Sequence, residues 1–389
     1  MMTKNSFGNW IAPLSLKDFE EQYLHQKIFH VDSSKNQGLI TWEGLNGLLN
    51  QSSLWSAETL KLYRHAHPVA PEKYCVSSLN SQGHPLLRPH SPLVQKWISQ
   101  GASLVLNDIA ELTLPLREMS HNLKNLFGAR VQANLYTSRQ GIQAFSSHFD
   151  LHDVFVFQCE GEKTWHIYKN RVDAPFNHPA FNLLSQDHHE HAKGPLLKTL
   201  TLKAGDFLYL PRGFYHDALA SKAPSLHVTF GVTRPIGLDI ISLLFEEGVD
   251  HALLRQYLTP SSVAVQCQKL AEHLSNRLKQ PDFLQKVHSL FNGEEPFSPY
   301  TLPDIKQATP FKVRGKGFSV EHHSHQFWLA SATSEAPIPK GKEKLVEWIL
   351  RHQEITLEEM IQSPLNTSKQ EWETLANDLL QMGILEQDF

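Results

Sequence analysis

The chain has 389 residues, 41% apolar and 20% charged, enough for about two or three domains with a real core and too apolar for a disordered chain. A net charge of −4 argues against nucleic acid as the main partner, and no apolar run approaches the ~18 residues of a membrane span. Three widely separated cysteines, Cys75, Cys159 and Cys267, make neither a disulfide framework nor a thiolate zinc site. Met1 to Pro13 lack the basic and apolar regions of a secretory signal, so a cytoplasmic protein is expected. Histidine, with 23 copies, makes metal chemistry worth seeking and accidental metal-like motifs common.

In chain order, Ser15 to Asp18 reads as a capped helix start, with Phe19, Tyr23 and Leu24 following at helical spacing. Lys27 to Val31 reads as a strand, and Thr41 precedes a short helix with Leu45, Leu48 and Leu49 on one side. Residues 75–91, rich in Ser, Gly and Pro, predict a long loop; a helix over about 92–100 ends at Gly101, and Ala102 to Leu106 is a short strand. From about 129 to 234 the period is that of strands separated by turns, which predicts an antiparallel sandwich or barrel. Within it, residues 170–199 read as too irregular for regular structure, and a loop of that length inside a domain is often functional. Helical stripes resume after Pro235 through about 292. Two extended runs (Phe311 to Val320, Gln326 to Ala330) then precede three short helices, the last opened by a capping box at Ser368 and stopped by Gly383.

The most specific string runs from Gly205 to His216, a G-x5-P-x-G-x2-H pattern that is the second signature motif of the cupin jelly roll. A strand ends at Pro211, the chain turns at Gly213, and the next strand presents His216 inward. The Asn that often follows four residues later is replaced by Ala220. Upstream, His148 and Asp150 are two residues apart and so share one face of a strand. His30-Val31-Asp32 and His188-His189-Glu190 have the same form but no matching third ligand, and read as a strand end and a solvated loop. Two imidazoles and one carboxylate on one face make the arrangement of non-haem Fe(II) oxygenases, with positions left for a cosubstrate and dioxygen.

The segments Ala133 to Tyr136, His148-x-Asp150, Asp153 to Trp165 and Leu210 to His216 resemble the JmjC-type ribosomal oxygenases, and the resemblance extends over nearly the whole chain. Members of that family are Fe(II)- and 2-oxoglutarate-dependent protein hydroxylases acting on an arginine or on histidines of ribosomal proteins. The resemblance implies His148, Asp150 and His216 as iron ligands and Lys163 as the residue holding the distal carboxylate of 2-oxoglutarate. Asn134 and Tyr136 would line the cosubstrate pocket. Arg is typical of the bacterial branch at the position of Lys163; Lys is found in the histidine-hydroxylating branch. Independently, Lys163 shares strand parity with Trp165 and Ile167, and a buried lysine needs an anion. A solvated turn lysine after Gly161 is the bland alternative, and Asn134 and Tyr136 can equally be plain polar lining. His227 reads either as a pocket residue or as a satisfied core histidine.

The expected architecture is mainly β with α: a double-stranded β-helix (cupin/JmjC jelly roll) catalytic domain with an N-terminal α/β extension over 1–235, a helical dimerisation region over 236–295, and a winged-helix-like domain over 296–389. Residues 301–389 hold nine Lys or Arg against thirteen Asp or Glu, so this last domain lacks the basic stripe that DNA binding requires. The expected protein is a cytoplasmic homodimeric dioxygenase that hydroxylates a protein side chain. A precursor peptide of a natural product as substrate, lysine demethylation, and a non-catalytic metal-binding cupin module are the alternatives.

Overall fold

The computed structural model describes residues 7–32, 38–79, 82–139, 145–292, 310–315, 317–331 and 334–387. Local chemistry sets the first elements. After α1 (Phe7–Trp10), Ser15 caps α2 (Leu16–Gln22) by accepting from the Asp18 N–H at 3.1 Å. Beyond β1 (Phe29–Val31), Thr41 does the same for α3 (Trp42–Leu49) through the Gly44 N–H.

β2 (Leu60–Arg64) and β3 (His67–Pro68) form a tight hairpin. Residues 75–91 are not a loop: β4 (Cys75–Leu79) and β5 (Pro85–Pro89) pair antiparallel from Cys75↔Pro89 to Leu79↔Pro85. Both are edge strands of a two-stranded sheet, where a proline's missing N–H costs little, so proline content misleads there. α4 (Ser91–Ser99) and β6 (Ser103–Leu106) lie close to where the sequence predicts them. The sequence reading omits α5 (Leu114–Phe127), which buries Leu116, Met119, Leu123 and Phe127 and ends at Gly128 in the left-handed region (φ 53°).

The sheet that carries the site contains β7 (Arg130–Ser138), β8 (Asp153–Arg171), β9 (Leu196–Lys203), β10 (Phe207–Leu210) and β11 (Phe214–Thr233). Its order is β1-β10-β8-β11-β7-β6-β2-β3, all pairs antiparallel, with β9 also on β8. β8 changes partner along its length: residues 154–157 face β10, and residues 162–168 face β9. β11 follows it throughout, with register shifts near Phe214, Ala220 and Leu226. Gly161 (φ 64°) permits the change, since a Cβ there would lie 1.7 Å from the Pro224 carbonyl oxygen. Inserted between β8 and β9 are two short helices, α6 (Pro179–Asn182) and α7 (Gln186–Ala192). The stretch 170–199 is therefore partly regular, contrary to expectation. α7 starts because Ser185 accepts from the His188 N–H, a cap hidden in a polar run.

Two buried clusters flank the sheet. One is aromatic (Phe7, Phe19, Phe155, Phe157, Phe207, Phe230), and the other is centred on Val156, Ile167, Leu202 and Leu208. After Thr233 come α8 (Gly237–Gly248), α9 (Val263–Arg277) and α10 (Pro281–Asn292). Glu247 of α8 accepts from Arg277 of α9 at 2.7 and 2.9 Å and from Lys286 of α10 at 2.5 Å, which ties the three helices together.

The chain divides into compact units 1–296 and 297–389, and the expected boundary at 295/296 lies outside the described residues. In the second unit, Phe311–Val313 pairs with Glu354–Ile355 and Leu385–Glu386, and a separate sheet joins Ser319–His323, Gln326–Ala330 and Glu335–Pro337. The run expected over Phe311 to Val320 is two strands, and His322 and His323 lie on the second of them. Helices Glu343–Leu350, Leu357–Ile361 and Lys369–Gln381 enclose Ile349, Met360 and Trp372. Ser368 and Glu371 cap each other reciprocally, as the sequence predicts. No described helix is long and apolar enough to cross a membrane.

Candidate metal centre and its cavity

His148 and His216 meet because the backbone pairs them. Each residue's N–H donates to the other's carbonyl, at 3.0 and 2.8 Å, and the Gly213 N–H donates to the Asp150 carbonyl at 2.9 Å. Gly213 holds the turn before β11 at φ 87°, where a Cβ would lie 2.1 Å from the Val172 carbonyl oxygen. The spacing G-x2-H thus follows from one hairpin clasped against the His148–Asp150 segment.

Ligand atoms of His148, Asp150 and His216 lie within 4.8 Å of one another, and His216 Nε2 is 3.4 Å from Asp150 Oδ2. Each histidine Nδ1 sits near the backbone carbonyl two residues before it, Ser146 O at 2.8 Å and Phe214 O at 3.0 Å. An Nδ1–H donated to each carbonyl fixes the tautomer and leaves both Nε2 lone pairs free. Burial, then the neighbouring His148, push the His216 imidazole down to about 4. Burial would raise the Asp150 carboxyl, but the adjacent His216 and His148 outweigh it and hold it below its usual range. A neutral imidazole facing an ionised carboxylate is the protonation state that a metal requires.

The opposite strand faces carry a brace. Ser147 and Asp217 each adjoin a ligand, and Ser147 Oγ donates to Asp217 Oδ2 at 2.7 Å. The buried Asp217 carboxylate also accepts from Tyr168 Oη (2.6 Å) and His166 Nδ1 (2.9 Å). Lys193, just after α7, reaches Ser147 Oγ at 3.0 Å. His189 of α7 packs against Phe149 and Tyr215 at ring distances of 5.5 and 5.8 Å, so it is not the solvated loop residue its sequence neighbourhood suggests.

The three ligand residues open onto a cavity of about 330 Å³ that is also lined by Lys163, Asn134, Tyr136 and His227. Every candidate site residue therefore converges on one space. Lys163 is 2% exposed, donates to Ser138 Oγ at 3.1 Å, and has no carboxylate within ion-pair distance among the described residues. Burial lowers its ammonium to about 8. His227 stacks on Tyr136 with ring centroids 5.0 Å apart, and its Nδ1 is buried without a partner, as is Trp165 Nε1. An unpaired cation beside two orphaned ring nitrogens suits a carboxylate better than solvent or apolar filling. Burial, first of all, and the nearby Asp150 raise the Tyr136 hydroxyl to about 12, so it is a neutral donor in the cavity.

The sequence reading missed Gln132, Phe145, His152, Trp165, Ala218, Thr229 and Gly231 as lining. Strand parity could have found most of them, since Gln132-Asn134-Tyr136, Lys163-Trp165, His216-Ala218 and His227-Thr229-Gly231 are alternate-residue series on three strands.

Residues 113–240 match the family model described as the JmjC domain. A Dictyostelium discoideum protein named bifunctional lysine-specific demethylase and histidyl-hydroxylase NO66 is 30% identical over 223 residues, which is 56% of this chain and 41% of that protein. Its namesake from Drosophila persimilis is 25% identical over 359 residues, 85% of this chain and 50% of that protein. This chain thus spans half or less of the length of those relatives. The crystal structure of Escherichia coli YcfD superposes with a TM-score of 0.50 at 16% identity, covering 96% of this chain and 98% of that one. Residues 113–240 thus carry a JmjC domain of cupin fold, whose antiparallel sheet and the segment clasped against it present the His-x-Asp and His set.

Proposed function

We propose that this chain is an Fe(II)- and 2-oxoglutarate-dependent oxygenase that hydroxylates a histidine or arginine side chain of a protein, ribosomal by family resemblance. The observation that carries the reading is the convergence of His148, Asp150 and His216 with the buried, unpaired Lys163 in one cavity. Fe(II), when bound with 2-oxoglutarate and dioxygen, supplies the oxidising chemistry that splits the cosubstrate to succinate and carbon dioxide and puts one oxygen atom into a C–H bond. The protein's own part is binding and positioning. His148, Asp150 and His216 would hold Fe(II) through two imidazoles and one carboxylate. The Lys163 ammonium holds the far carboxylate of the cosubstrate by a charge-assisted contact, with Tyr136 and Asn134 along its flank. Trp165, packed beside His216 at a ring distance of 5.7 Å, helps keep water from the ligands.

The reading includes a cytoplasmic homodimer. Its support is the face of α8, where Leu238, Ile241, Phe245 and Val249 are exposed beside a groove lined by Leu244, Leu254 and Leu274. It also treats 296–389 as a winged-helix-like domain that does not bind DNA, on the acidic balance of that segment. Mass spectrometry of ribosomal-protein peptides incubated with the iron-loaded enzyme tests the substrate. A gain of one oxygen atom on His or Arg supports it, and loss of a methyl group from lysine would assign demethylation instead.

A further inference from the structure

A second cavity, of about 430 Å³, adjoins the first and shares His152 as a wall. Gly231 makes that wall possible, because a Cβ there would lie 2.7 Å from the His152 ring. Three guanidinium groups line the second cavity, those of Arg171 at the end of β8, Arg212 in the β10–β11 turn and Arg234 just after β11. None has a carboxylate within ion-pair distance among the described residues. Each is anchored instead by a neutral acceptor: Arg171 Nε donates to the Arg212 carbonyl (3.0 Å), Arg212 to the Pro175 carbonyl (3.2 Å) and Arg234 to His25 Nε2 (3.1 Å).

Two carboxylates face this cavity, so the cations exceed them by one. Asp173 is exposed. Asp153 is buried and already committed, lying 2.7 Å from His25 Nδ1 and accepting from the Arg212 N–H at 2.9 Å. The chain Asp153–His25–Arg234 spends this carboxylate on an imidazole, which keeps the guanidinium fork free. Arginine forks grouped without carboxylate partners are suited to bidentate capture of an oxyanion.

We propose that this cavity binds an acidic side chain of the polypeptide substrate, a Glu or Asp near the residue that enters the metal cavity. The proposal rests on the functional reading above, because only a ligand approaching the metal past His152 would fill both spaces. A polypeptide fits better than RNA, since the cations are confined to a recess and the chain carries a net charge of −4.

The test uses the full chain loaded with Mn(II) and 2-oxoglutarate, which prevents turnover. Its probes are a set of fluorescent twelve-residue peptides, each with a central His or Arg and a Glu at one flanking position, and the matched Gln peptides. At one flanking position the Glu peptide should bind about tenfold or more tightly than its Gln partner, as loss of a charge-assisted contact predicts. That preference should vanish in Arg234→Gln and in Arg171→Gln, and Arg234→Glu should prefer Lys over Glu at the same position. The reversal cannot come from misfolding. Equal binding of Glu and Gln peptides at every position, or a preference that survives Arg234→Gln, overturns the proposal. So does tighter binding of a single-stranded RNA oligonucleotide that depends on Arg234. Succinate formation measured separately with Fe(II) distinguishes the two ideas: a Glu preference without turnover keeps the cavity and sinks the oxygenase reading, and turnover without a preference does the reverse.

Discussion

His148 and His216 lie 4.6 Å apart, ring to ring, across a two-hydrogen-bond antiparallel bridge, with each Nδ1 within hydrogen-bond distance of the carbonyl two residues before it. Backbone pairing sets the distance between the two imidazoles, and the carbonyls set their rotation. The pair is therefore preorganised by main chain rather than by side-chain packing, which limits the reorganisation a metal would require.

His148→Ala and Asp150→Ala should each lose metal binding by well beyond the ~10–100-fold that outer-shell partners cost, with the fold retained. Calorimetric titration with Mn(II), alongside circular dichroism, checks both. Metal affinity equal to that of the wild type in either variant would place the metal elsewhere.

Lys163→Ala should raise the apparent KM for 2-oxoglutarate by about 10- to 150-fold, the loss of a charge-assisted contact of roughly 1.5–3 kcal/mol. Metal binding should stay normal. Lys163→Arg should keep part of the affinity, limited by how the planar fork fits beside Ser138. Because burial lowers the free Lys163 ammonium to about 8, the binding form is the protonated one below that pH. Affinity for 2-oxoglutarate should fall as pH rises through 8, and the Arg variant should be spared that loss. A pH series of KM values in both proteins checks this.

Glu247 accepts from Arg277 first, then Lys286, and these contacts hold its carboxyl down at about 2 despite some burial. A depressed carboxylate stabilises above its unfolded pKa and loses that contribution as pH falls through the folded value. Glu247→Gln should thus destabilise the chain by about 1 kcal/mol near neutral pH, a figure already reduced for solvent screening. The gap from wild type in urea unfolding should close as pH falls from 4 towards 2.

Phe245, 70% exposed on α8, is the largest side chain of the apolar face proposed for dimerisation. Phe245→Glu should convert a dimer to a monomer at micromolar concentration, as measured by light scattering. A wild-type monomer would refute the proposed interface.

Much of this was legible in the sequence because the signals were local. The G-x5-P-x-G-x2-H string encodes a strand end, a left-handed turn at Gly213 and an inward His216, whereas His148 and Asp150, expected on one strand face, lie on an irregular segment in which His148 makes an isolated bridge to His216. Partners across the sheet were harder to see. Pairing of His227 with Tyr136 depends on the β7–β11 register, a long-range match that neither strand reveals alone. The β4–β5 hairpin and α7 were missed because solvent-facing elements of polar composition carry little hydrophobic period, and their caps and edges do the specifying. The Arg171, Arg212 and Arg234 recess was illegible for another reason, as its members come from three strand ends far apart in the chain.

The central claim is tested most directly by the fate of 2-oxoglutarate. The purified protein, reconstituted with Fe(II) under argon and then given oxygen, should convert 2-oxoglutarate to succinate, with no conversion without oxygen and none in Asp150→Ala. Protein with bound Fe(II) that forms no succinate, or an Asp150→Ala variant that forms it at the wild-type rate, would contradict the account.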